Sequence, residues 1–140
     1  MELEVSTMIA RPVSTVWEFY AVHHAENHPR WDPSFELEPT SDDPIGVGTL
    51  IRRRANRFGK MIEGTMEVVG FEPEKSMRVT IQEGGTIIHG RAIFEAHDGE
   101  QTKLTIGGEF PGLDGAMAET IRPLMERSAS NIQSLVESET

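Results

Sequence analysis

TLIRRRANRFGKMIEGTMEV, residues 49–68, is the stretch whose reading decides the fold. Two runs of alternating side chains flank RFGK, and a connection that short joins antiparallel neighbours. If residues 49–56 and 61–71 pair across it, partners sum to about 117, and Arg54 stands opposite Glu63. Arg52 and Glu67 lie nearby on the same face. Opposite charges across strands suit a solvated face and contribute about a few tenths of a kcal/mol each. The other face carries Ile51, Arg53 and Ala55 against Ile62, Gly64 and Met66, so that face turns toward a core.

The alternation extends in both directions. Cuts at SDDPIGVG, RFGK, FEPEKS, EGG and HDGEQ leave six strands, at roughly 34–41, 49–56, 61–71, 76–83, 86–96 and 102–110. Residues 2–10 alternate as a further strand at the start. Pro12 suits the first turn of a helix, where its missing N–H is not needed. Val13, Val16, Trp17 and Tyr20 then form that helix's apolar stripe. A short second helix or turn is expected over residues 23–31, ended by Pro29 and Pro33. After PGLDG the period changes: with Asp114 as N-cap, Met117, Ile121, Leu124, Ser128, Ile132 and Leu135 share a helical face. Pro123 should kink that helix, which is expected over about 114–138. The order β-α-α-β6-α predicts an α+β fold, a curved seven-stranded antiparallel sheet wrapped around the long C-terminal helix. Where the helix is too thin to fill the curl, a cavity remains.

The 140 residues suit one domain, 1–140, which buries roughly two-thirds of its unfolded surface. With no cysteine, thiol catalysis, thiolate zinc sites and disulfides are excluded. MELEVSTMIA lacks the basic start and apolar run of a signal peptide. Nowhere do about 18 apolar residues follow one another, so integral membrane association is not expected and the default location is cytoplasmic. A net charge of −10 argues against nucleic acid as a partner. The cluster Arg52, Arg53, Arg54 and Arg57 allows only a local anion site. Oligomeric state is not readable from this composition.

Five segments in order, IARPVSTVWEFY, NHPRWDP, IGVGTLIR, VVGFEPEKSM and LMERSASNIQSLVESE, resemble the START-like or SRPBCC superfamily. The likeness is to its polyketide cyclase/dehydratase-like branch. The resemblance implies a helix-grip fold with a deep, mostly apolar cavity for lipids, polyketides or other hydrophobic ligands. It does not imply one chemistry, because members include enzymes, carriers, receptors and adaptors.

Parity and the resemblance together give the expected ligand cavity: Tyr20, Trp31, Ile51, Arg53, Met66, Ile88, Gly90, Phe94, Leu124 and Ser128. Ala92, Leu104 and Ile106 share the inner face. Gly64, Gly90 and Ala92 offer little bulk, which a cavity requires, although a strand glycine equally marks a bulge. Arg53 is a lone guanidinium among apolar neighbours. It either snorkels out at the rim or anchors a ligand carboxylate, phenolate or enolate. Ser128 reads as a packing residue or a ligand contact, and Trp31 as a structural plug near Tyr20 and Trp17.

His23, His24 and His28 cluster just before Trp31. Without a third ligand or an H-E-x-x-H pattern they hold no metal, and they read as solvated loop residues before acid–base groups. Catalytic residues are not assigned; Tyr20, Arg53 and His28 are the candidates. No G-x-S-x-G or G-x-G-x-x-G occurs, and no cofactor is expected. Binding of a hydrophobic small molecule comes first, a cyclase/dehydratase-like enzyme second, and a protein-binding adaptor third.

Overall fold

The register around RFGK follows from the alternation. In the computed structural model Arg54 pairs with Glu63, Arg53 with Gly64 and Ile51 with Met66. The model describes residues 1–57 and 59–140, apart from the side chain of Arg57, so the RFGK turn lies partly outside the described residues. Ile51, Arg53 and Ala55 are buried, whereas Arg52 and Arg54 are exposed and meet Glu38, Glu36 and Glu63.

Seven strands form one antiparallel sheet: β1 (Glu2–Ile9), β2 (Phe35–Pro39), β3 (Leu50–Arg57), β4 (Lys60–Glu72), β5 (Ser76–Glu83), β6 (Thr86–His97) and β7 (Gln101–Glu109). Their order is β1-β7-β6-β5-β4-β3-β2, a meander whose first two strands occupy opposite edges. The chain crosses between those edges through α1 (Val13–Trp17), a π-helical turn (Glu18–Val22) and α2 (His24–Trp31). The last element, α3 (Gly115–Glu139), grips the concave face, with the Asp114 carboxylate capping the N–H of Met117 at 2.8 Å.

Three local expectations change. α2 runs through Pro29 to Trp31, because the bonds Asn27 N–H to His23 O and Asp32 N–H to His28 O hold on either side of the proline. The π turn adds a residue to α1, which buries Phe19 and Ala21 together with Val16 and Trp17. On α3 the buried stripe is Ala118, Ala129, Ile132 and Val136, rotated from the expected one. The cause is the placement of α3 along the edge strand β1. Thr7 bonds Gln133, the Ala10 N–H donates to Glu137, and Arg122 donates to the Glu4 carbonyl. Alanines permit that close approach, and Leu124, expected in the cavity, is instead half exposed at 50 %.

The two ends of the concave face differ. Near the β4–β5 and β6–β7 turns, Ile9, Val16, Trp17, Val68, Met77, Phe94, Leu104, Ile132 and Val136 pack as a closed core. Toward the β5–β6 turn, where Gly84 and Gly85 both adopt positive φ, the inner-face residues Val79, Ile88 and Ile106 keep accessible surface. The N-terminal half of α3 carries half-buried Ile121, Met125 and Ser128.

Candidate ligand site

Inner-face parity brings an arginine and a glutamate over one glycine. Arg53, Gly64 and Glu83 lie in a single row across β3, β4 and β5. Because Gly64 has no side chain, the outer two reach across it, with guanidinium and carboxylate 3.7 Å apart and each side chain 5 % exposed. The Phe35 ring lies 4.2 Å from the Arg53 guanidinium carbon. Arg53 is therefore neither lone nor snorkelling: the fold supplies its anion. A buried charge needs such a partner, since neither ion can leave water without a large cost.

Glycine at this point does not open a cavity. A Cβ on Gly64 would lie 2.0 Å from the carbonyl oxygen of Gln82, so the residue marks a close backbone approach. At Gly90 the space for a Cβ is taken by Val79, at 3.0 Å. What lets Glu83 face inward is the irregularity between Val68 and Gly70, which shifts the β4–β5 register by one residue.

An aromatic cluster continues from Phe35 into α2 and the π turn. His28 meets Phe35 and stacks on Trp31, with ring centroids 5.0 Å apart in each case. Tyr20 stacks on Trp31 at 5.0 Å with planes 10° apart and meets Phe94 edge-on. His24 touches Tyr20, His28 and Trp31. Trp31 is 3 % exposed and meets Phe19 as well as Tyr20 of the π turn, whereas Trp17 packs on Phe71 and Phe94.

The histidines thus leave the solvent that the sequence suggested for them. The π turn and α2 roll His24 inward until it is 3 % exposed, and only His23 stays outside, beside Glu18 and Glu26. Burial pushes His24 down to about 4, against a bond to the Tyr20 carbonyl that favours its charged form; nearby Arg53 lowers it further. His28 is held well below the usual histidine range by burial, with His24 and Arg53 adding to it. Burial alone raises the Tyr20 hydroxyl. All three are neutral near pH 7.

Among the described residues, no group of three His, Cys, Asp or Glu side chains is placed to hold a metal. No described helix is long and apolar enough to cross a membrane. Tyr20, Trp31, Arg53 and Phe94 come together, Ile51, Met66 and Ile88 line the sheet beside Arg53, and Leu124 is half exposed on α3. Ser128 lies half-buried on α3 and Gly90 half-buried on β6. Glu83 was missed. The two-residue EGG turn contained the signal, since pairing Glu83 with Thr86 gives it the parity of Ile88.

Two clefts form, one on the outer face beside α3 and one at the β5–β6 turn that also touches Gly64 and Glu83. One, about 600 Å³, runs beside Glu4, Ser6, Lys103, Thr105 and Arg122; the other, about 350 Å³, adjoins Glu63, Thr65 and Gln82. Both linings are rich in charged and polar groups.

Comparison with curated protein sequences yields no match. Among solved structures, the chain is similar to TTHA0849 from Thermus thermophilus, with TM-score 0.76 and 20 % identity over 100 % of this chain and 99 % of that one. It is similar to Ara h 8.0201, with TM-score 0.74 and 17 % identity over 99 % and 98 % of the two chains. The Zhui aromatase/cyclase from Streptomyces sp. R1128 is a further neighbour, with TM-score 0.73 and 16 % identity over 98 % and 93 %. At these identities the likeness is one of fold, the helix-grip arrangement that the family resemblance implied. The model of the family described as polyketide cyclase / dehydrase and lipid transport matches residues 1–137, and the chain belongs to that family.

Proposed function

We propose that the chain binds a hydrophobic small molecule of lipid, polyketide or aromatic type at the open end of the concave face. The observation that carries this reading is the unfilled apolar surface there. Val79, Ile88 and Ile106 face inward yet keep accessible area, and Ile121 and Met125 of α3 are likewise only half-buried. Apolar surface left wet at the centre of a fold is a standing cost, and an apolar ligand that displaces the water recovers about 25 cal/mol per Å² covered. Leu124 and Met117, both near half exposed, form the rim on the α3 side. Family membership supports a ligand-binding or cyclase role in the same space.

The test is native mass spectrometry of freshly purified protein, with solvent extraction of any retained compound. A bound hydrophobe supports the proposal. Protein that comes out empty, and that binds neither naphthalene nor fatty alcohols in titration, contradicts it and favours a protein-binding adaptor. Turnover of the retained compound would make the chain a cyclase-type enzyme rather than a carrier.

A further inference from the structure

One side chain that belongs to neither sheet nor helix sits between the two ends of the concave face. Ile45, in the loop that joins β2 to β3, packs against the closed core that holds Val16, Trp17, Val68 and Phe94. It also packs against the neighbouring cluster of Ala25, Ile51, Met66 and Ile81. Among the described residues, Val79 is the other half-buried side chain that joins both sets. Val79 is fixed within β5, where its Cγ2 lies 3.0 Å from the Cβ that Gly90 lacks. Ile88, part of the surface proposed to meet the ligand, packs against the second cluster. Ile45 therefore borders the closed core on one side and that surface on the other.

The loop itself explains this position. Its second half is tied to β4: the Gly48 N–H donates to the Val68 carbonyl at 2.8 Å, and the Val68 N–H to the Thr49 carbonyl at 2.9 Å. The Gly46 N–H donates to Thr49 Oγ1 at 2.9 Å, which closes the turn, and Gly48 supplies the left-handed conformation at φ +94°. The first half is different. Ser41–Asp43 are exposed, and among the described residues the one hydrogen bond there is internal, from the Asp43 N–H to Ser41 Oγ at 3.4 Å. Ile45 stands where the tied half meets the free one, and its packing is what holds the free half to the fold. Val47, two residues on, points away and is 70 % exposed.

We infer that Ile45 is the wall that sets how far a hydrophobic ligand reaches along the concave face, and so selects ligands by length. This rests on the ligand-binding proposal above and adds what limits the ligand. Behind Ile45 the core is closed, with Val16, Val68, Leu104 and Ile132 fully buried. In front of it Val79 and Ile88 keep accessible surface. Because Ile45 lies outside the strand ladders, its size can change without disturbing the register of the sheet.

The experiment is a calorimetric titration with the straight-chain alcohols from 1-hexanol to 1-dodecanol, and with naphthalene. In the wild type each methylene that finds apolar surface should raise affinity about fourfold, until the chain meets Ile45 and the gain stops. Ile45→Ala should carry the gain onward by roughly two to three methylenes, and Ile45→Phe should end it sooner. Val47→Ala, on the exposed side of the same loop, should change neither the affinities nor the stopping length. An identical stopping length in wild type, Ile45→Ala and Ile45→Phe would overturn the inference and leave the ligand-binding proposal standing. So would a wild-type gain that never stops, or binding of naphthalene without any alcohol. Failure of the wild type to bind every probe would overturn both. Should Ile45→Ala not fold, Ile45→Val removes a single methylene and should move the stopping length by about one carbon. An unmoved length would then refute the wall.

Discussion

The two ends of the concave face are built from the same strands but solve burial differently. At one end α1, the π turn and α2 insert Trp17, Phe19, Tyr20 and Trp31 between sheet and helix, and Leu104, Ile132 and Val136 are closed off completely. At the other, α2 contributes only the small side chain of Ala25, packed with Ile51, Met66 and Ile81. Val79, Ile88 and Ile106 face inward but are only half-buried. The face of α3 makes the contrast plain: Asn131 reaches the Trp31 carbonyl at 3.0 Å, while Leu124 and Met117, two and four turns earlier on that side, stand exposed. Stability is concentrated where the aromatics are, and the proposed ligand sits where they are not.

The largest effect should come from the packed end. Trp31→Ala removes a ring that Tyr20, His24, His28 and Phe19 all touch, and should cost about 3–5 kcal/mol by urea denaturation. A comparable loss, roughly 3–5 kcal/mol, is expected for Arg53→Met, because it takes the guanidinium away from the buried Glu83 carboxylate. Arg53→Met combined with Glu83→Leu should recover most of that stability. If the single change proved harmless, Arg53 and Glu83 would not depend on each other as a buried ion pair.

Acid should act on the packed end next. His24 is held at about 4 in the fold against about 6.5 unfolded, so between those values the unfolded chain binds the extra proton. Stability is full above pH 6.5 and declines as the pH falls toward 4, by roughly 3 kcal/mol for this residue. His28, shifted the same way, adds to the decline. Denaturation midpoints at pH 7.5 and 4.5, in wild type and in His24→Phe, measure it; a flat wild-type profile would mean His24 is not enclosed.

Smaller effects belong to the sheet and the open end. Gly64→Ala forces a Cβ against the Gln82 carbonyl and should cost about 1–3 kcal/mol, lowering the melting temperature. Leu124→Ala should change stability by less than about 0.5 kcal/mol, since that side chain is already half exposed, yet weaken ligand binding measurably. A large stability loss at Leu124 would erase the distinction between the ends.

The sheet was legible because its turns are short and its charges alternate. Arg54 opposite Glu63 follows from the spacing across RFGK alone. The site was less so. A π turn leaves no mark in apolar spacing, so the inward roll of His24 could not be read from His23, His24 and His28 in sequence. The β4–β5 bulge hides the row Arg53–Gly64–Glu83, since the FEPEKS turn without it would set Glu83 opposite Thr65, on the other face. On α3 the mean apolar direction points to Leu124, but alanines at 118 and 129 let the helix lie against β1 instead. Large side chains dominate a pattern; small ones decide the approach.

Isoleucine δ1-methyl NMR separates the two ends in one titration, because the chain carries isoleucines at both. On addition of naphthalene, the methyls of Ile88, Ile106 and Ile121 should shift, while those of Ile9 and Ile132, fully buried in the packed end, should not. Shifts confined to Ile9 and Ile132, or no shift at any isoleucine as naphthalene approaches its solubility limit, would contradict a ligand site at the open end.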